Sequence, residues 1–339
     1  MLAPLLAAAV MAPPSLESIV DKAVDTNQVP GVVVVIRKDG KTIFQRARGY
    51  ANLEMRTRMN LDSVHELASV SKQFTATAIM KLVEDRKLAL NDPLNKFIEN
   101  PPKEWADITI ENLLEHTSGL PDYLGSNIDL GAEFTARELV YGLINKPLLF
   151  APGTKWAYCN TGYMTLGYLV EQVTKQPFGK YVTDQVFIPS GMKSARIGSL
   201  SAIIPNRAYG YQKSGKEWVN EAYVSRGLSA LGDGMVMASA NDLLSWHETL
   251  TNGRILHQES WQAMWTPSSQ SQGKYGFGFG VERAGPKPRL NHSGGWVGTN
   301  TFLMSDIESD SCIIVLINTD QSPMGDLIKA AYERLNKKL

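Results

Sequence analysis

The chain has 339 residues, 43% of them hydrophobic, with 34 basic and 34 acidic side chains. That is apolar material for two domains or one large composite one. A formal net charge of zero and the lack of a long basic run exclude nucleic acid and anionic membrane surfaces as expected partners.

The first stretch, MLAPLLAAAVMAPPS, is apolar and small from Leu2 to Ala12. It resembles the hydrophobic and cleavage regions of a signal peptide, but the first basic residue is Lys22. Residues 1–12 are read as a signal segment or its remnant, which implies a periplasmic or secreted protein. A greasy arm on a cytoplasmic protein is the other reading. No other apolar run approaches the roughly 20 residues that span a bilayer.

From Gly31 to Ala51, two β-rich runs flank Asp39-Gly40, a pair suited to a tight primed turn. The four valines Val32 to Val35 predict a strand buried on both faces. From Leu67 to about Tyr223 apolar residues recur at helical spacing, as in the stripe Val70, Phe74, Ala78 and Leu82. Further helices are predicted after Thr109, Thr135 and Thr161, with Pro and Gly clusters between them. One more helix is expected from Ser239 to Gly253. Strand signals then return in YGFGFGVER, TNTFLMSD and CIIVLINT, before a last helix, MGDLIKAAYERLNKK.

The order strands, helices, strands predicts an α/β chain of the α+β kind. Residues 15–63 and 225–339 would build one antiparallel sheet flanked by N- and C-terminal helices. Residues 64–224 would form a large, mostly helical insertion, with a cleft between the two parts.

Three polar clusters interrupt this pattern. In Ser69-Val70-Ser71-Lys72, positions three apart share a helix face, so Ser69 and Lys72 meet while Ser71 points away. A hydroxyl beside an amine can act as an activated nucleophile, although a serine at a helix start is also an ordinary cap. In PGTKWAYCNTGY, Tyr158 and Asn160 are two apart, so in an extended segment a phenol and an amide face one cleft. A simple turn with a packed ring explains the same letters. In LNHSGGWVGTN, His292, Ser293, Gly294 and Gly295 follow a strand-like run, and glycine lets a backbone N–H approach a ligand. A surface histidine on a glycine-rich turn is the plain alternative.

Other chemistries find no support. GFGFG opens no helix, so it is not a dinucleotide loop. No HExxH, paired histidines or CxxC occurs, and Cys159 and Cys312 form no spaced framework. No metal, cofactor or disulfide is expected.

Taken in order, Ser69-x-x-Lys72, Tyr158-x-Asn160 and His292-Ser293-Gly294 resemble the serine β-lactamase and penicillin-recognising superfamily. The Tyr-x-Asn form and the helical insertion resemble its class C-like branch. That branch includes class C β-lactamases, D-alanyl-D-alanine carboxypeptidases, D-aminopeptidases and β-lactamase-like carboxylesterases. The resemblance runs from about Val32 to about Leu316, through LLEHTSGLPDY, GTKWAYCNTGY and NHSGGWVGT.

The resemblance implies a serine hydrolase working through an acyl-enzyme. Ser69 is then the nucleophile, and Lys72 and Tyr158 carry protons. The backbone N–H groups of Ser69 and Gly295 form the oxyanion hole. Asn160, His292, Ser293 and Gly294 bind the substrate, and Tyr123 and Trp296 line the cleft. The substrate is a small ester, a D-amino-acid amide or peptide, or a β-lactam. No metal or organic cofactor is implied.

His292 stands where β-lactamases keep lysine, and Tyr123 where class C β-lactamases hold a glutamine. The expectation is therefore an esterase or D-peptidase with weak β-lactam hydrolysis. A class C-type β-lactamase is the first alternative. A penicillin-binding sensor without turnover, or an assembly-forming relative, is the second. Specificity is expected in the loops 121–133 and 205–227, and nothing in the sequence indicates an oligomeric state.

Overall fold

The architecture grows from the N-terminal hairpin. In the computed structural model, which describes residues 14–125, 134–198, 202–221, 232–283 and 285–337, β1 (Gly31–Lys38) pairs antiparallel with β2 (Lys41–Asn52). The turn residues Asp39 and Gly40 have φ of 48° and 75°, the two positive values that a type I′ turn requires. Residues 1–12 and parts of both expected specificity loops lie outside the described residues.

Five further strands complete one sheet: β3 (Thr57–Arg58), β4 (Gly280–Glu282), β5 (Arg289–Trp296), β6 (Thr299–Asp306) and β7 (Ser311–Ile317). Their spatial order is β3-β2-β1-β7-β6-β5-β4, and every pairing is antiparallel. The first and last strands therefore meet at the centre, with Val33 opposite Leu316. Closing the sheet this way brings the two ends of the chain together and leaves the middle of the chain to pack on one face.

The five longest helices among the described residues are α1 (Leu16–Asp25), α2 (Lys72–Glu84), α3 (Asn160–Thr174), α4 (Ala240–Thr251) and α5 (Met324–Asn336). Val32, Val34 and Ile36 face one core, closed by α1 and α5. Val33 and Val35 face the other, shared with Phe74 of α2, Leu166 of α3 and Trp246 of α4. This is the two-sided burial that the valine run predicts. Each such side chain contributes about 1.5–3 kcal/mol when fully buried.

Local signals act as expected at the helix starts. Ser239 accepts from the Asp242 N–H, and Thr109 and Asn112 form a reciprocal cap, as do Thr135 and Glu138. One expectation needs correction. Of YGFGFGVER only Gly280–Glu282 is strand. Gly276 and Gly278 instead allow close backbone contact. A Cβ on Gly276 would lie 2.2 Å from the Met264 carbonyl oxygen, and one on Gly278 2.7 Å from that of Lys72. The glycine–aromatic stretch thus braces the start of α2. Cys159 and Cys312 are separately buried and free. Among the described residues, no helix is long and apolar enough to cross a membrane.

Candidate active site

Ser69 lies on a short 3₁₀ turn, Ala68–Ser71, that leads into α2 at Lys72. Residues three apart eclipse on such a turn, so Ser69 and Lys72 still share an edge. The turn is held from several sides. The Leu67 N–H donates to the Val236 carbonyl at 2.8 Å, and the Val236 N–H donates to Ser71 Oγ at 3.0 Å. The hydroxyl of Thr301 on β6 donates to the Leu67 carbonyl at 2.7 Å. Ser71, 1% exposed, is therefore a structural hydroxyl. Ala68, just before Ser69, has φ of 47°, a left-handed conformation that costs an L-residue about 1–2 kcal/mol. The fixed neighbours keep that strain in place beside Ser69.

Lys72 is wholly buried, and its side-chain nitrogen makes three contacts. These are Ser69 Oγ at 3.1 Å, Asn160 Oδ1 at 2.9 Å and the Asp233 carbonyl at 2.7 Å. The Tyr158 ring covers Nζ with its centroid 4.9 Å away, and the Tyr163 ring stands at 5.6 Å. Tyr158 itself is 37% exposed, and among the described residues no hydrogen bond reaches its hydroxyl.

Above this floor opens a cleft of about 240 Å³, lined among others by Ser69, Tyr123, Tyr158, Asn160, Gly295 and Trp296. Lys72 reaches Ser69 from beneath the cleft. Gly294 fixes the wall: a Cβ there would meet the Leu67 carbonyl at 2.2 Å and Thr301 Oγ1 at 2.4 Å. Only glycine lets β5 lie this close to the nucleophile turn, which sets Gly295 at the cleft.

This arrangement brings a hydroxyl, an amine, a phenol ring and the exposed Gly295 backbone to one cleft. A model of the β-lactamase family matches residues 16–337. The chain belongs to the β-lactamase family of serine hydrolases.

Within that family, the chain is 29% identical over 339 residues to penicillin-binding protein 4* of Bacillus subtilis (strain 168), which covers 93% of this chain and 74% of that protein. It is 30% identical over 298 residues to a D-aminopeptidase of Brucella anthropi, covering 83% of this chain but 55% of that protein. The crystal structure of a penicillin binding protein from Bacillus halodurans shares the fold, with a TM-score of 0.83 at 24% identity over 95% of this chain and 100% of that one.

His292 is buried. Its Nδ1–H donates to the Ser293 carbonyl at 2.6 Å, so Nε2 is the acceptor for the Tyr275 hydroxyl at 2.9 Å. Burial, with Lys72 nearby, lowers its pKa to about 4, which leaves a neutral ring with both nitrogens engaged. Its ring stands beside that of Tyr158, with the centroids 6.1 Å apart. Tyr123 lines the cleft, yet its hydroxyl donates to Asp233 Oδ2 at 2.8 Å. Ser293 is exposed on β5.

Sequence reasoning gave no role to Asp122, Asp233 or His116. Asp122 accepts from the Asn160 N–H at 2.7 Å and from Nδ2 at 3.1 Å. Asp233 supplies the carbonyl that receives Lys72, and burial raises the pKa of its carboxyl. His116 Nδ1 accepts from the Cys159 N–H at 3.0 Å and positions the Tyr158–Asn160 segment. Its ring lies 4.4 Å from that of Tyr158. HTSGLPDY carried the signal for Asp122 and His116. Asp233, in LGDGM, gave none.

Proposed function

We propose that this protein cleaves small esters or D-amino-acid amides through an acyl-enzyme on Ser69. The observation that carries this reading is the 3.1 Å contact between Ser69 Oγ and the buried Lys72 amine at the floor of a small cleft. Ser69 Oγ bonds to the substrate carbonyl carbon, and its proton passes to the Lys72 amine. Tyr158, at the exposed side, delivers a proton to the leaving amine or alcohol as the carbon–heteroatom bond breaks. Water then attacks the acyl-enzyme, gives a proton back through the same groups, and frees Ser69. Acid–base help of this kind contributes about 10²–10⁴-fold. The backbone N–H groups of Ser69 and Gly295 face the developing oxyanion, each contributing on the order of 10²-fold or more.

Kinship with the D-aminopeptidase favours D-amino-acid amides, and the modest cleft suits a small acyl group. The neutral, inward-facing His292 offers no cation for a β-lactam carboxylate, so β-lactam hydrolysis is expected to be slow. Action on cell-wall-type D-amino acids, and hence a site outside the cytoplasm, follows from the same kinship and belongs to this proposal.

The test is parallel turnover of p-nitrophenyl butyrate, D-alanine p-nitroanilide and nitrocefin, with Ser69→Ala as control. Ester or anilide turnover that vanishes in the control supports the reading. Fast nitrocefin cleavage would replace it with a β-lactamase. A stoichiometric acyl adduct by mass spectrometry without turnover would replace it with a sensor.

A further inference from the structure

The nucleophile and its base are held by an amide that has two orientations, only one of which leaves the base usable. Lys72 Nζ has three directions of hydrogen bonding. Two meet pure acceptors, Asn160 Oδ1 at 2.9 Å and the Asp233 carbonyl at 2.7 Å. The third meets Ser69 Oγ at 3.1 Å. As a neutral amine, Lys72 spends its two N–H groups on the two acceptors and turns its lone pair to the Ser69 hydroxyl. As an ammonium, it turns its third N–H there. The same geometry thus serves both proton states of the cycle.

That economy depends on which way the Asn160 carboxamide faces. If it turned over, Nδ2 would aim a donor at Lys72. A neutral amine would then give its lone pair to Asn160, and the Ser69 proton would have no acceptor. An ammonium would face a donor with a donor. We propose that Asp122 is the positioning residue that sets this orientation. A carboxylate only accepts. Its Oδ2 receives both the backbone N–H of Asn160, at 2.7 Å, and Nδ2, at 3.1 Å. Nδ2 must therefore face Asp122, and Oδ1 must face Lys72.

Asp122 is itself held. Its Oδ1 accepts from the Leu124 N–H at 2.9 Å. On one side of it the Thr161 hydroxyl donates to the Pro121 carbonyl, and on the other the Tyr123 N–H donates to the same hydroxyl, each at 2.8 Å. The 121–124 segment is therefore stapled to the first turn of α3, and the carboxylate has little freedom to leave Asn160. A carboxamide at position 122 cannot accept on both edges. It would face either Leu124 or Asn160 with a donor, and facing Asn160 with a donor favours the wrong orientation.

This inference rests on Ser69 and Lys72 acting as proposed above. The experiment compares Asp122→Asn, the double variant Asp122→Asn with Asn160→Asp, and Ser69→Ala, using p-nitrophenyl butyrate across a pH series. The expected result for the single variant is a fall in kcat of about 10²-fold, the size of a lost near-attack arrangement, with KM within about twofold. The acidic limb of its pH profile should stay in place. Adding Asn160→Asp should restore at least about tenfold, because either oxygen of a carboxylate accepts from Lys72 and no wrong orientation remains.

Wild-type turnover by Asp122→Asn would overturn the proposal. So would a loss recovered by raising the pH, which would assign Asp122 a charge role among Lys72, Tyr158 and Asp233. A double variant no faster than the single one would reduce Asp122 to a holder of its loop. Should Asp122→Asn not fold by circular dichroism, Asp122→Ser is measured against the same outcomes. Activity persisting in Ser69→Ala would instead sink the nucleophile assignment, so the two failures are distinguishable.

Discussion

Lys72 and Tyr158 both stand near Ser69 and contrast in almost every physical respect. Lys72 is wholly buried, reaches Ser69 from below and makes three hydrogen bonds with fixed partners. Tyr158 is 37% exposed, borders the open cleft, and among the described residues no hydrogen bond reaches its hydroxyl. In the proposed mechanism one proton carrier is built into the core, and the other is left at the surface where a leaving group would arrive. The contrast teaches that removing the first should damage both structure and chemistry, while removing the second should damage chemistry alone.

The largest expected effect is that of Lys72→Met. It should lower kcat/KM by about 10³–10⁴-fold and also lower the melting temperature. Two acceptors, the half-buried Asn160 Oδ1 and the buried Asp233 carbonyl, lose their donor, at up to about 1–3 kcal/mol for a buried group left unsatisfied. A variant retaining a tenth of wild-type turnover would refute the role of Lys72. Next comes Tyr158→Phe, expected to lower kcat by about 10²-fold with an unchanged melting temperature. A marked drop in melting temperature would erase the contrast by showing that the phenol is structural.

A third, smaller effect concerns the dry wall behind Tyr158. The pKa of His292 is about 4 in the folded protein, below the ordinary value of about 6.5. Its contribution to stability is present above about pH 6.5 and is lost as pH falls towards 4, because the unfolded chain binds the proton first. His65, lowered to about 3, and His116, also lowered by burial, act in the same direction. Glu115 and Glu221, raised by burial to about 7, act oppositely, losing stability as pH rises from about 4.5 to 7. Replacing His292 by Gln should reduce the slope of stability against pH, between pH 6.5 and 4, by up to one proton. Denaturant titrations across that range measure it, and an unchanged slope would mean that His292 is protonated in the folded state.

The smallest effect is expected from Ala68→Gly. Relief of the strain at φ 47° offsets the greater chain entropy of glycine, so stability should change by no more than about 1 kcal/mol. Turnover should still fall, because the turn that aims Ser69 loosens. Full activity would show that the strained turn has no part in aiming the nucleophile.

Much of this was legible in the letters because it is local. The Asp39-Gly40 turn, the Thr109, Thr135 and Ser239 caps and the two-sided valine strand each follow from a few consecutive residues. So did the pairing of Ser69 with Lys72, which needs only helical spacing. The glycine–aromatic stretch misled because alternation resembles a strand, whereas Gly276 and Gly278 are there for backbone contact with residues far away in sequence. The burial of His292 was not legible for a similar reason. A histidine beside two glycines reads as exposed, and only its neighbour across the fold, Tyr275, turns it into a buried, neutral packing group.

The sequence by itself determined the elements, the three motifs and their order, since periodicity, capping and turn chemistry act over a few residues. Only the tertiary structure decided what the motifs do for one another. Asp122, Asn160, Lys72 and the Asp233 carbonyl are separated by up to 161 positions along the chain, yet Asn160 and the Asp233 carbonyl meet on the Lys72 amine while Asp122 holds Asn160. A hydrogen bond depends on distance and direction in space, and those are set by how the sheet and helices pack.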